Sequence, residues 1–432
     1  MHSIMDHEET EDSRPSLDGC DGYLELCRSR SSAHDRGPDV STRADSNETI
    51  QDGLILIVGP IPRDGNYIGG IGVFLTQLLE HWCLPYSVAH FNLERQTREY
   101  ATTGRLSIRN CRASLVTWFR LVRAVRKTKP VLVHYHTSRQ LALVKDMLIA
   151  AWVRRCCRMK VVMHVHFSDI ESLLLTRYRC VRRLQLRGLR CCCDRIILLS
   201  QNVLSDFAGV LKPPMAGEFR SHCAIMPNFT GIPDLSMRHG RARHHVNLFF
   251  IGNVGSRKGV YDILQVAAQL KGVAGAQFRV AVAGPFDSAA EEERIRAAVK
   301  DLGVSDVVSF LGTVYGEEKD RAFREADVFV LPSYSEGVPL SMLEAMSYGI
   351  PVVVSDVGGI PEIVRDGVEG VVVKPGDTDG LLRALARLVD SLSDRRVMGR
   401  AARARIVASH TVENYMRQLE DLYASVLSRQ DG

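Results

Sequence analysis

Two glutamates, Glu336 and Glu344, are separated by seven residues in the stretch Ser335-Glu336-Gly337-Val338-Pro339-Leu340-Ser341-Met342-Leu343-Glu344-Ala345-Met346. An apolar, strand-like run from Ala326 to Ser333 leads into it, and Pro339 falls where a helix would begin. A strand, a tight turn and a helix opening with Pro leave backbone N–H groups unpaired, and the helix dipole adds positive potential there. That arrangement suits an anion. Carboxylates beside such a site are poor phosphate ligands, but they accept hydrogen bonds well from sugar hydroxyls. The segment therefore reads as a sugar-nucleotide site. A bare glutamate pair would carry no weight, since solvated Glu residues at any spacing are common. The whole string carries it.

That string, EGVPLSMLEAMSYGIPVVVSDVGGIPEIV, resembles the Glu-x7-Glu region of retaining GT-B glycosyltransferases of the GT4 type, the glycosyl transferases group 1. The resemblance extends over about residues 54–428 and implies an α/β GT-B fold, two Rossmann-like doubly wound domains facing across a cleft. It implies that Glu336 touches hydroxyls of the donor sugar and Glu344 the ribose. The backbone of Gly337, Val338, Pro339 and Leu340 would meet the sugar and distal phosphate. Gly312 and Thr313, after the run Phe310-Leu311, would face the base. Lys258, in Gly252-Asn253-Val254-Gly255-Ser256-Arg257-Lys258-Gly259, matches the lysine that contacts the donor diphosphate. Relatives carry Arg directly after the glycine where this chain has Asn253, and Arg257 is the adjacent cation that could replace it. Gly69 and Gly70 resemble the first-domain glycine loop, where backbone approaches donor phosphate and acceptor. His166 corresponds to a histidine at the end of a first-domain strand, near the transferred sugar. No enzymic nucleophile stands out, which fits a front-face reaction with retention of anomeric configuration.

Other patterns compete for attention. His134 and His136, and His164 and His166, form two HxH pairs, each on one side of a strand, and such pairs can bind zinc. Strand-end histidines in a cleft already have a sugar-binding explanation, so no metal is expected. Asp377-Thr378-Asp379 imitates a DxD metal motif but follows a strand in what should be a surface loop. Lys258, backbone amides and a helix N-terminus can hold a diphosphate without a divalent ion. No cofactor is expected beyond the nucleoside diphosphate sugar itself. The 11 cysteines, an odd count, include the adjacent runs Cys156-Cys157 and Cys191-Cys192-Cys193, a poor disulfide framework that suits a reducing compartment.

These residues must be positioned by alternating strands and helices. Apolar runs at 54–58, 131–134, 160–166 and 195–200 alternate with helical patterns, the first helix expected from about Val73 to Trp82. A second series starts near Val246 and runs through 279–284, 307–312, 327–332 and 351–355. Such alternation predicts parallel sheets. The expected division is 1–50 as a disordered acidic extension and 51–236 as the acceptor domain. A linker at 237–246, a donor domain at 247–410 and a C-terminal helical segment at 411–432 follow, the last packing back on the first domain as the resemblance implies.

The net charge of +5 conceals an uneven distribution. Residues 105–195 hold about twenty Lys or Arg against about four acids, and arginines 177–190 interleave with Tyr178, Val181, Leu184, Leu186 and Leu189. That pattern predicts a basic helix able to lie on an anionic membrane surface. Sparse aromatics there argue against nucleic acid as a partner. No apolar run approaches the ~18 residues needed to span a bilayer, so a cytoplasmic, membrane-peripheral location is expected. The function expected is transfer of a sugar from a UDP- or GDP-sugar to a saccharide or lipid-linked acceptor in cell-surface polysaccharide or glycolipid synthesis. The alternative is a catalytically weakened protein of this fold that senses sugar nucleotides or scaffolds an assembly.

Overall fold

A computed structural model describes residues 24–27, 53–61, 69–93, 108–137, 141–166, 178–235, 245–273 and 277–429. Thirteen strands are arranged in two sheets among these residues. The first sheet contains β1 (Leu24–Cys27), β2 (Leu54–Gly59), β3 (Ser87–Asn92), β4 (Leu132–Thr137), β5 (Lys160–Val165), β6 (Arg195–Leu198) and β7 (Cys223–Ile225). The second contains β8 (His245–Ile251), β9 (Gln277–Ala283), β10 (Val308–Gly312), β11 (Val328–Leu331), β12 (Val352–Ser355) and β13 (Gly370–Val373). Between the strands of the first sheet run α1 (Gly70–Glu80), α2 (Ile108–Thr128), α3 (Leu141–Cys156), α4 (Arg179–Cys191), α5 (Gln201–Val210) and α6 (Met215–His222). The second part of the chain adds α7 (Val260–Val273), α8 (Ala289–Asp301), α9 (Gly316–Glu325), α10 (Leu340–Ser347), α11 (Ile360–Ile363), α12 (Thr378–Asp390), α13 (Leu392–Ser409) and α14 (Val412–Leu427).

The strand order is β1-β3-β2-β4-β5-β6-β7 in the first sheet and β10-β9-β8-β11-β12-β13 in the second. All pairs are parallel except β1 on β3. Strands β2, β4, β11 and β12 are buried almost throughout, because helices cover both faces of each sheet and leave Val, Ile and Leu no solvent side. Each sheet reverses its order at one point, between β2 and β4 and between β8 and β11. Loops leaving the carboxyl ends of strands on either side of such a reversal diverge and open a crevice.

Several boundaries differ from expectation. Residues 24–27, inside the extension expected to be disordered, add a short antiparallel strand to the edge of β3. Their backbone groups pair with an otherwise open edge. Helix α1 starts at Gly70, three residues before the expected start, and ends at Glu80. The run 225–229 reads in the sequence as the strand closing the first domain, but β7 ends at Ile225, since Pro227 has no N–H to give a ladder. Most of the linker expected at 237–246 lies outside the described residues, and its last two residues, His245 and Val246, already belong to β8. Pro339 is the residue before α10 rather than its first.

The second sheet has its own apolar core, built around Leu248, Phe249, Val330 and Val353. One face of the first sheet packs beneath α2 to α6, around Val133, Tyr135, Met163 and Phe207. The other face packs against α1 and α14. There Tyr415, Met416, Leu419 and Tyr423 of α14 join Ile55, Ile57 and Phe74. The last helix of the chain is thus part of the first sheet's core.

Candidate functional site

The loops flanking the reversal between β8 and β11 carry the predicted donor residues. After β8 the chain makes a short 3-10 turn, Ser256–Lys258, and enters α7. After β11 it runs through Pro332-Ser333-Tyr334-Ser335-Glu336 into α10. Lys258 Nζ makes an ion pair with Glu336 Oε1, and Ser333 Oγ donates to the same oxygen at 2.7 Å. Glu336 is only 8% exposed, so this carboxylate is satisfied almost entirely by the two loops themselves. Both contacts fall on Oε1, leaving Oε2 as the acceptor open to a ligand hydroxyl. An ammonium has three N–H donors, so Lys258 can keep Glu336 and still face an anion.

Gly259 makes this pairing possible. It adopts a left-handed conformation (φ 74°) just after Lys258, where its N–H caps the turn on Ser256 O. A Cβ at this position would lie 2.1 Å from the carbonyl oxygen of Pro332. Only glycine lets the lysine turn rest against the end of β11. We expect Gly259→Ala to reduce kcat/KM roughly 100-fold, the scale of a catalytic group displaced by about 1 Å. Steady-state kinetics on protein shown by circular dichroism to be folded check this, and full activity would refute the close approach as a requirement.

The neighbouring groups are held more tightly than their spacing in the sequence suggests. Arg257 donates from Nη1 to Ser335 O at 3.2 Å, and its own carbonyl accepts from Tyr334 N at 3.0 Å. Asn253 donates to Asp287 Oδ1 at 3.2 Å. Glu344 lies on α10, where its Oε1 accepts from Lys319 Nζ of α9 at 2.6 Å. Gly312, in a left-handed turn at the end of β10, and Thr313 are exposed. Asp377 is the N-cap of α12, its side chain accepting from Gly380 N at 2.8 Å, so one acid of the DxD triplet serves a helix end.

On the opposite side, Gly69 and Gly70 open α1, and a Cβ on either would meet nothing within 4 Å. Neither crowding nor a left-handed backbone accounts for these two glycines. His166 follows β5, with its Nε2 2.8 Å from His136 Nδ1 and its ring 5.0 Å from Phe74. Burial in apolar surroundings pushes His134 down to about 3 and holds His136, His164 and His166 below the ordinary imidazole value. All are neutral at pH 7.

The two halves meet along a seam. Asn228 Nδ2 donates to Val338 O at 2.7 Å, and Leu340 packs onto the core that contains Phe74 and Phe229. Glu362 of α11 accepts from the backbone N–H groups of Gln201 and Asn202 at 2.9 and 2.7 Å, capping α5 across the seam. The first turn of α10 and the Phe74–His166 pair are therefore built on one continuous interface. Lys258, Arg257 and Glu336 form one cluster and His166 another, each held by its own contacts.

Sequence reasoning missed Lys319, Ser333, Asn228 and Glu362. Lys319 lies within Gly-Glu-Glu-Lys-Asp-Arg, which reads as an ordinary solvated helix face. Ser333 lies two residues past the end of β11, and a small hydroxyl residue there was the one available cue.

Comparison with known proteins identifies the surroundings. Residues 238–405 match the model of the family described as glycosyl transferases group 1. A D-inositol 3-phosphate glycosyltransferase of Streptomyces griseus is 39% identical over 148 residues, covering 32% of this chain and 31% of the relative. The amylovoran biosynthesis glycosyltransferase AmsK of Erwinia amylovora is 30% identical over 183 residues, covering 41% of this chain and 44% of the relative. The matched part spans less than half the length of either relative. Among solved structures, HepE of Anabaena, crystallised with UDP-glucose, superposes with a TM-score of 0.65 at 17% identity, over 86% of this chain and 100% of that one. The shared fold is GT-B.

Proposed function

We propose that this chain, whose second sheet carries a glycosyl transferases group 1 domain, moves a sugar from a nucleoside diphosphate sugar to a saccharide or lipid-linked acceptor. One observation carries the reading. Lys258 and Glu336 are paired at the strand-order reversal, beside the N-terminus of α10. Sugar transfer builds positive charge on the anomeric carbon and negative charge on the departing diphosphate. Lys258 and the N–H groups of Gly337, Val338 and Leu340 would receive the second, and Glu336 Oε2 and Glu344 would accept hydroxyls of sugar and ribose. No side chain in this set is placed as an enzymic nucleophile, which supports a front-face reaction with retention. The UDP-glucose bound by HepE supports a UDP-sugar over a GDP-sugar.

Asn253 supplies no charge to this site, and its amide is committed to Asp287. Arg257 shares the turn of Lys258 and is the cation that takes its place. We expect Arg257→Ala to lower turnover at least ~10-fold, since a lost transition-state contact commonly costs more than about 1.4 kcal/mol. Unchanged kinetics would remove Arg257 from the mechanism.

The acceptor side supports a lipid-linked substrate. Helices α2, α3 and α4 pack side by side, and Phe119, Leu148, Tyr178 and Leu184 on them are 65–74% exposed. Arg120, Arg123, Arg179, Arg182 and Arg183 surround these side chains in sequence. Among the described residues, no helix is long and apolar enough to cross a membrane. A basic face with projecting apolar side chains binds anionic lipid without spanning it.

The test of the function is thermal shift against UDP, GDP and their sugars. A ligand at 100 times its dissociation constant adds about 2.7 kcal/mol of stability. Absence of any shift would sink the transferase reading. Binding with no sugar turnover on lipid-linked acceptors would instead favour a sugar-nucleotide sensor or scaffold, the reading that Asn253 supports.

A further inference from the structure

Three histidines of the first sheet bring ligand-type nitrogens within 4.8 Å of one another: His134, His136 and His164. His134 and His136 share one face of β4, and His164 lies directly across from His136 on β5, on the same face. None is more than 2% exposed. Their nitrogens fall into two sets. His134 Nδ1 lies 2.6 Å from the Tyr423 hydroxyl, and His136 Nδ1 lies 2.8 Å from His166 Nε2. His134 Nε2, His136 Nε2 and both nitrogens of His164 have no hydrogen-bond partner among the described residues.

Apolar packing alone does not explain this arrangement. The face is otherwise built of Ile55, Ile57, Val162 and Phe74, and aromatic hydrocarbon side chains would fill the same space without burying polar atoms. A buried nitrogen left unpaired is destabilising, and four occur here together. The outer contacts are those that metal-ligating histidines make, with the second ring nitrogen held by a hydroxyl or another acceptor.

We propose that His134, His136 and His164 bind one zinc-class divalent ion, through Nε2 of His134 and His136 and one ring nitrogen of His164. A tetrahedral ion about 2.0–2.1 Å from each nitrogen needs them about 3.3 Å apart, closer than the 4.8 Å within which they lie, so the rings must draw together on binding. Imidazole-only ligation selects zinc and its transition-metal neighbours over magnesium or calcium. Three protein ligands leave the fourth position to water or hydroxide. Binding at His136 Nε2 fixes that ring's proton on Nδ1, where it donates to His166 Nε2. The His166 ring is then oriented with its own proton on Nδ1. Through Tyr423 the ion also ties α14 to the first sheet. None of the three ligands belongs to the donor site, and metal binding is read without any donor present, so the test stands apart from the transferase reading.

The experiment uses the full chain, stripped with chelator and equilibrated with micromolar free Zn2+ or Co2+. The expected result is about one equivalent of zinc per chain, a rise in Tm, and an intense tetrahedral visible band with Co2+. His164→Phe keeps the volume of the ring and should abolish the stoichiometric binding, whereas His222→Gln, on α6, should retain it. Fewer than about 0.1 equivalents on the wild-type chain, or undiminished binding by both His164→Phe and His134→Phe, would overturn the proposal. Should either variant fail to fold, the wild-type Co2+ spectrum decides alone. A weak octahedral band, or a sulfur charge-transfer band marking cysteine ligation, would equally overturn it.

Discussion

Replacing Lys258 by methionine is expected to lower kcat by roughly 100- to 1,000-fold, the loss seen when one preorganised donor to a developing anion is removed. Methionine keeps the length and most of the apolar stem, so the change is chiefly in charge. KM for the donor should rise less than kcat falls, because the leaving group's charge grows most in the transition state. The same substitution strips the buried Glu336 of its cation and leaves it Ser333 alone. Breaking a buried pair from one side costs about 3–5 kcal/mol, reduced here because the lysine side chain is 16% exposed. A loss of activity could therefore be a loss of folding. The double variant Lys258→Met/Glu336→Gln separates the two, since it removes the unpaired charge and should regain most of the stability without regaining turnover. A single variant within about 3-fold of wild-type kcat would exclude Lys258 from transition-state stabilisation.

What could be read ahead of the structure, and what could not, follows from the range of the interactions. The donor loops were legible because their signals are local: a continuous apolar strand, a turn, Pro339, then a 3.6-residue apolar pattern. The partner of Glu344 was not, because Lys319 reaches it through the packing of α9 against α10, and nothing in a charged surface helix marks one lysine. The histidines illustrate both sides. Two-residue spacing placed His134 with His136 on one face of a strand, as the structure has it. That β4 and β5 are neighbours, with His136 opposite His164, is a matter of strand order and register. Those are set by the whole sheet and by the helices that cover it. The four-residue strand β1 was too short to stand out from the polar extension around it, since its pairing depends on the open edge of β3.

The buried histidines also make the first sheet acid-labile, and we expect the metal-free chain, kept in chelator, to lose its folded first sheet between about pH 5 and pH 4. Unfolded imidazoles take up a proton near 6.5. In the folded chain burial holds His134 at about 3 and His410 at about 4, so both stay neutral well below that point. Within this window the unfolded state binds more protons than the folded one, and stability falls as pH falls. Each such histidine costs about 1.4 kcal/mol per pH unit below 6.5. From 6.5 to 4.5 these two alone remove about 5 kcal/mol, which is the whole stability of a marginal domain. His136 and His164, held low by the same burial, act in the same direction. Residues 246–409, which carry nearly all of the second sheet and its helices, contain no histidine, and the buried histidines all lie outside them, so near-ultraviolet signals from that half should persist to lower pH. Urea unfolding at a series of pH values measures the slope directly. His164→Phe should reduce it by about one proton, and a wild-type stability that stays flat from pH 7 to pH 5 would show that these imidazoles are not buried in the neutral form.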